Sequence, residues 1–162
     1  MIVSHHSLTS NIATYVNQLL RPFADEKTKL LTFSDEADFM QKLNHYAYDQ
    51  QRLKPTTLFC TIEISNFYTL AEHDQLIDTV MYFLQDNSVT NKVNQVSIMT
   101  IKNLLQLFLY NNLFCYENNI YTITKGSPTT MPLSSTLSNI YLFDWQKLIL
   151  QQVKRKDEFF GR

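Results

Sequence analysis

Apolar side chains fall first at helical spacing. Ile12, Val16, Leu19, Leu20 and Phe23 mark one face of a helix over Ser7–Phe23, with Ser7 or Ser10 as its cap and Pro22 near its end. Asp25–Lys29 reads as a charged turn. Ser34 opens a second helix to about Asp49, which should bury Phe39, Met40, Leu43 and Tyr46 or Ala47. Residues 51–56 form a polar loop in which Pro55 blocks further helix. The period then changes. Leu58, Cys60, Ile62 and Ile64 alternate with Phe59, Thr61 and Glu63, which predicts a buried strand over 57–64. Helical spacing returns over Glu72–Gln85, with Leu76, Ile77, Val80, Met81, Phe83 and Leu84, and over Ser97–Tyr110, with Ile98, Ile101, Leu104, Leu105, Phe108 and Leu109. Residues 86–94 between them read as a loop. Leu113–Tyr116 and Ile120–Thr124 flank Glu117-Asn118-Asn119, the pattern of a β-hairpin. Lys125–Pro132 is a loop with one glycine and two prolines, and a last helix spans about Leu133–Val153. The pattern predicts an α+β fold: a small antiparallel sheet containing 57–64, backed by the 72–85 and 133–153 helices.

A length of 162 residues suits one domain with a real core, and no linker, internal repeat or low-complexity stretch divides it. Hydrophobic residues at 44% argue against disorder. The two glycines leave no Gly-rich phosphate loop of the dinucleotide or P-loop kind. A net charge of -1 supplies no global basic field for nucleic acid or a membrane surface. Cys60 and Cys115 lie in apolar stretches, so a disulfide framework is not expected and a reducing compartment is the default. No run approaches the roughly 18 apolar residues of a membrane span, and Met1–Ser10 lacks the order of a signal peptide. An intracellular location follows, with nucleus and cytoplasm not distinguished and oligomeric state open.

Candidate chemistry is sparse. Glu63 stands near the end of the 57–64 strand, before a turn of Ser65, Asn66 and Tyr68. Such a carboxylate either holds a metal over an open sheet face or marks where the strand surfaces. His5 and His6 read as loop residues, and His45 as a surface or packing residue of its helix. Lys154-Arg155-Lys156 reads as a solvated helix end suited to the dipole, with phosphate contact as the weaker alternative.

Two stretches carry a likeness. Leu58-Phe59-Cys60-Thr61-Ile62-Glu63-Ile64-Ser65-Asn66-Phe67-Tyr68-Thr69 and the run from Lys125-Gly126-Ser127-Pro128-Thr129-Thr130-Met131-Pro132 to Leu142 resemble the first two palm motifs of reverse transcriptases. The segments are most similar to those of Penelope-like retroelements. Ser7–Ser10 with Leu19–Pro22, and Asn112–Tyr116, also look like that group's intervening segments. The resemblance implies a partial right-hand polymerase palm as a single incomplete domain over 1–162. Residues 1–56 would be fingers and palm-leading helices, and 57–162 the palm with its first two motifs. It implies nucleotidyl transfer to a primer in the complete protein, with two Mg²⁺ or Mn²⁺ ions. RNA template, DNA primer and deoxynucleotides would be the partners, and no membrane.

Carried over residue by residue, Glu63 takes the place of the first catalytic aspartate, and Ile64 would offer a backbone carbonyl to metal. Asn66, Phe67, Tyr68, Lys125 and Gly126 would bind the incoming nucleotide, with Tyr68 as the gate beneath its sugar. Ser127, Pro128, Thr130 and Ser134 would meet template or primer. The departures matter as much. Glu63 replaces Asp, and Thr130 stands where the family has a second glycine. The Tyr-x-Asp-Asp hairpin that follows in the family would lie beyond Arg162, and both ends read as cut. The resemblance therefore implies a chain inactive by itself. The alternative is a catalytically dead derivative that persists as a nucleic-acid or protein interaction module.

Overall fold

A computed structural model describes residues 9–88, 90–156 and 158–162. The chain mixes helices with two small antiparallel sheets. It divides into two compact units: the chain up to Asp25 together with Asn66–Trp145, and Glu26–Ser65 together with Gln146–Arg162.

The first unit holds the core. Helix α1, Ser10–Thr28, contributes Ala13, Val16, Leu19, Leu20 and Ala24 to it before passing into the second unit. Pro22 lies inside α1 rather than near its end. A proline removes one N–H but leaves the helix on either side able to continue, and Arg21 and Asp25 pair across it at 3.5 Å. Ser7, His5 and His6 lie outside the described residues. Helix α3, His73–Asn87, and helix α4, Ile98–Tyr110, follow the expected periodicity closely. A capping box between Glu72 and Gln75 starts α3, in which the Glu72 N–H donates to Gln75 Oε1 at 3.2 Å. Ser97 starts α4 by accepting from the Thr100 N–H at 3.0 Å. The apolar stripes of α3 and α4 meet α1 and helix α5, Pro132–Trp145, in one cluster centred on Leu20, Leu84, Leu105, Phe108, Leu133 and Ile140. Phe83 takes edge-to-face contacts with Phe23 and Phe143, each at 5.7 Å.

Residues 86–94, expected as a loop, include strand β1, Lys92–Val93, which pairs with β2, Val96–Ser97, around the positive-φ residues Asn94 and Gln95. The expected hairpin is present as β3, Leu113–Tyr116, and β4, Asn119–Thr122, with Glu117 and Asn118 both at positive φ as a two-residue turn requires. A buried polar tie fixes its base. Thr9 Oγ1 donates to Asn112 Oδ1 at 2.9 Å, Asn112 Nδ2 donates to the Phe108 carbonyl, and the Ile123 N–H donates to the Asn112 carbonyl at 3.1 Å.

The second unit is organised by aromatic rings. Helix α2, Glu36–Asn44, begins at Asp35, whose side chain accepts from the Asp38 N–H at 2.8 Å, and ends in a π-helical turn over His45–Asp49. The second helix was expected to bury Phe39, Met40 and Leu43. Met40 is instead exposed, and no residue of α2 is buried. Phe159 packs against Phe33, Phe39 and Tyr46, and the Arg162 backbone exchanges 2.8 Å hydrogen bonds with Leu31 and Phe33. The expected last helix is two helices, α5 and α6, Lys147–Lys156, interrupted at Gln146; no proline or glycine marks that break.

The strand expected over 57–64 is absent. The segment has no regular structure, and Leu58, Phe59 and Ile62 are 86%, 69% and 63% exposed. Alternation marks which residues would share a face, but a strand also needs a neighbour to take its N–H and C=O groups. Among the described residues no strand pairs with this segment, and the two sheets there are the two hairpins, neither of which contains it.

This division of burial predicts mutational effects. Phe108→Ala should destabilise the protein by about 3–5 kcal/mol through the cavity it leaves. Leu58→Ala should change stability by no more than about 0.5 kcal/mol. Urea unfolding midpoints check both, and equal losses from the two variants would contradict the assignment of the core.

Candidate functional site

Only the end of the first motif segment, from Asn66 on, lies in the first unit, and there it meets the second segment. Asn66 adopts a left-handed conformation, φ 55° and ψ 39°, which asparagine tolerates better than most residues. It opens a 3₁₀ turn over Phe67–Thr69, closed by the Thr69 N–H donating to the Asn66 carbonyl at 2.8 Å. The chain then reaches Ala71 and the start of α3. Against this turn lies the loop 125–131. The Gly126 N–H donates to the Ala71 carbonyl at 2.9 Å, and the Ser127 N–H donates to the Tyr68 carbonyl at 3.0 Å. Lys125 bridges Glu72 through the backbone and through an ion pair at 3.4 Å. That ion pair is half-exposed and contributes little by itself.

Gly126 has φ +69°, and a Cβ there would stand 2.0 Å from the Tyr68 carbonyl oxygen and 2.6 Å from Thr69 Cα. Both obstacles are backbone, so neither can turn away. Only glycine lets the two segments approach this closely.

Hydroxyl groups of α5 fix both the loop and the turn. Ser134 Oγ donates to the Pro128 carbonyl, the Met131 N–H donates to the same carbonyl at 3.1 Å, and Ser138 Oγ donates to the Phe67 carbonyl at 3.3 Å. Gly126, Ser127, Pro128 and Ser134 are buried, and the hydroxyl of Ser134 is committed to the loop itself. Asn66, Lys125 and Thr129 are exposed at the rim, and Phe67, Tyr68 and Thr130 are partly exposed. Phe67 and Tyr68 stack edge-to-face at 5.4 Å.

A side-chain cluster that the sequence pattern does not single out adjoins this junction. His73, the first residue of α3, is buried and lies edge-on to Tyr110 at 5.3 Å. Burial pushes its imidazole below the ordinary value, against the opposing pull of a hydrogen bond to the Gly126 backbone and the charges of Glu72 and Asp74. The Tyr110 hydroxyl donates to Asp74, and that bond raises the phenol above its usual range.

Glu63 and Ile64 belong to the second unit, in the extended segment without regular structure; Glu63 is exposed. Among the described residues no group of three or more His, Cys, Asp or Glu side chains is placed to hold a metal. Mg²⁺ is usually held by one or two carboxylates together with waters and substrate phosphates, and Glu63 belongs to no such group of three or more among the described residues.

No family model, no curated protein and no solved structure matches the chain. No described helix is long and apolar enough to cross a membrane.

The close approach at Gly126 predicts that Gly126→Ala loses more than about 2 kcal/mol, from the left-handed backbone and the overlap with Tyr68 together. Thermal unfolding measures it. A loss comparable to that of an exposed-loop substitution such as Thr129→Ala would show that the two segments are not so tightly apposed.

Proposed function

We propose that the chain is part of a reverse-transcriptase-like palm, and that the junction of residues 66–72 with 125–131 is a platform for an incoming nucleotide. One observation carries the reading. The end of one segment that resembles a palm motif, from Asn66, and the start of a second, about sixty residues on, are seated on each other through a glycine that admits no side chain. Their rim offers a partly exposed ring, Tyr68, and an exposed amide, Asn66, and cation, Lys125. A ring supports a sugar or base, and an ammonium group favours phosphate. In this reading RNA template, DNA primer and deoxynucleotides are the partners. Nucleotidyl transfer would need further carboxylates beside Glu63, which belongs to no group of three or more metal-holding side chains among the described residues.

That isolation of Glu63 also favours a second reading, in which the fold persists as a nucleic-acid or protein interaction module without chemistry. Both readings predict that the purified chain adds no nucleotide to a primer above a Glu63→Ala control, with Mg²⁺ or Mn²⁺ present. Incorporation above that control would refute both.

Deoxynucleoside triphosphate titration followed by amide NMR separates them. The palm reading expects shifts at Tyr68, Lys125 and Thr130, weakened at least tenfold in affinity by Lys125→Ala, on the order of the loss of one charge-assisted contact. Shifts that leave these three residues unmoved would overturn it.

A further inference from the structure

In the β3–β4 hairpin only Phe114 is partly buried; the other strand residues are exposed, with Ile120 73% and Tyr116 60% open to solvent. A lone two-stranded hairpin is marginal in water, yet this one is anchored at its base by the buried Asn112 tie. Its strands hold no charged residue and no proline, the usual means by which an exposed edge is kept from pairing. Among the described residues no third strand joins the sheet. The register decides which edge groups are free. The Ile123 N–H donates to the Asn112 carbonyl, which makes those two a hydrogen-bonded pair. Such pairs alternate along an antiparallel ladder, so Phe114 with Tyr121 and Tyr116 with Asn119 are bonded pairs as well. Ile120 and Thr122 therefore turn their N–H and C=O groups outward from β4, and Leu113 and Cys115 do so from β3.

We propose that β4 is a self-pairing edge: the β4 strands of two copies of this chain join antiparallel about a two-fold axis at Tyr121, making one four-stranded sheet from two hairpins. A two-fold axis between two copies of a strand makes them antiparallel and falls at the centre of a residue pair. Centred on Tyr121, it sets the free groups of Ile120 against those of Thr122 of the second copy, and the reverse. The side chains agree. Phe114 and Tyr121 already stack at 5.4 Å with 22° between their planes, and the axis continues that row onto Tyr121 and Phe114 of the second copy. The exposed Ile120 is covered on the opposite face.

Charge selects both the occupant and the axis. Glu117 is the one charged residue between Asn111 and Thr124, and Lys125 is the next along the chain. Each stands four residues from Tyr121, on opposite sides, so pairing about Tyr121 brings the acid of one copy toward the base of the other at both ends of the joined strands. Centring the axis on Ile120 would set Glu117 opposite Ile123 instead. Lys125 is half-exposed beside Glu72 and open to a second carboxylate. Edge pairing of two four-residue strands buries less than a standard interface, so the dimer is weak and concentration-dependent. The pairing does not rest on the palm reading.

Amide exchange in the full chain across a concentration series reads the pairing strand by strand. The Ile120 and Thr122 amides should be protected at least about fivefold more at about 0.5 mM than at about 0.01 mM, while those of Leu113 and Cys115 stay unchanged. Analytical ultracentrifugation of the same samples should show a dimer at the higher concentration. Ile120→Lys puts a charge on the edge without touching the core and should leave a monomer there. Glu117→Lys should weaken the dimer by at least about threefold. A monomeric parent at about 0.5 mM would overturn the proposal. So would β4 protection independent of concentration, which would mean that the edge is covered within its own chain. A dimer that survives Ile120→Lys would place the contact elsewhere, as at the exposed 57–64 segment, and an affinity unchanged in Glu117→Lys would remove the axis at Tyr121. Should a variant not fold, the concentration series on the parent decides alone.

Discussion

Where Gly126 passes beneath the turn at Tyr68 there is room for backbone and for nothing more, with a hypothetical Cβ 2.0 Å from a carbonyl oxygen. The rest of the first unit is arranged to keep that contact. The turn is held by Asn66 in a left-handed conformation and by the capping box that starts α3. The loop is held by the buried hydroxyl of Ser134 and the turn by that of Ser138, both from the first turns of α5. α3 and α5 are in turn fixed by the shared apolar cluster. Local propensity, capping and burial thus all favour one placement of two distant segments, the consistency expected where a sequence specifies a unique geometry.

The second unit is built on a different principle. Few of its apolar side chains are fully buried. Instead, Phe33, Phe39, Tyr46 and Phe159 form a ring cluster, and Lys42 bridges it to Asp38, lying 5.3 Å from the Phe33 ring and 2.8 Å from the carboxylate. The bond to Lys42 holds the Asp38 carboxyl below its usual range. Such a cluster orders a small unit without the dense aliphatic packing seen around Leu105.

Much of this was legible in the residues. The stripes of α3 and α4 and the Asn-rich hairpin turn carry their own local signals, and the structure follows them within two or three residues. The 57–64 segment was misread because alternation is only half of a strand. Phe59 interrupts the second face that Thr61 and Glu63 would present to water, and among the described residues no neighbouring strand pairs with its backbone. The β1–β2 pair was missed for the opposite reason: two residues per strand are too short to show a period, although Val93-Asn94-Gln95-Val96 contains the turn. Of the candidate site, Gly126 could be singled out from sequence, as one of two glycines beside two prolines. His73 could not, since nothing local distinguishes a buried histidine at a helix start from an exposed one. The break at Gln146 has no signal in the residues around it.

The central claim is the seating of the glycine loop on the 66–72 turn. Proton–proton NOE spectroscopy on the labelled full chain tests it most directly, because backbone protons of Gly126 and Thr69 can share a strong cross-peak only if no side chain separates them. A strong cross-peak between the α-protons of Gly126 and Thr69, alongside contacts from Gly126 to Ala71, is the expected result. Assigned α-protons at both positions with no cross-peak between them would contradict it.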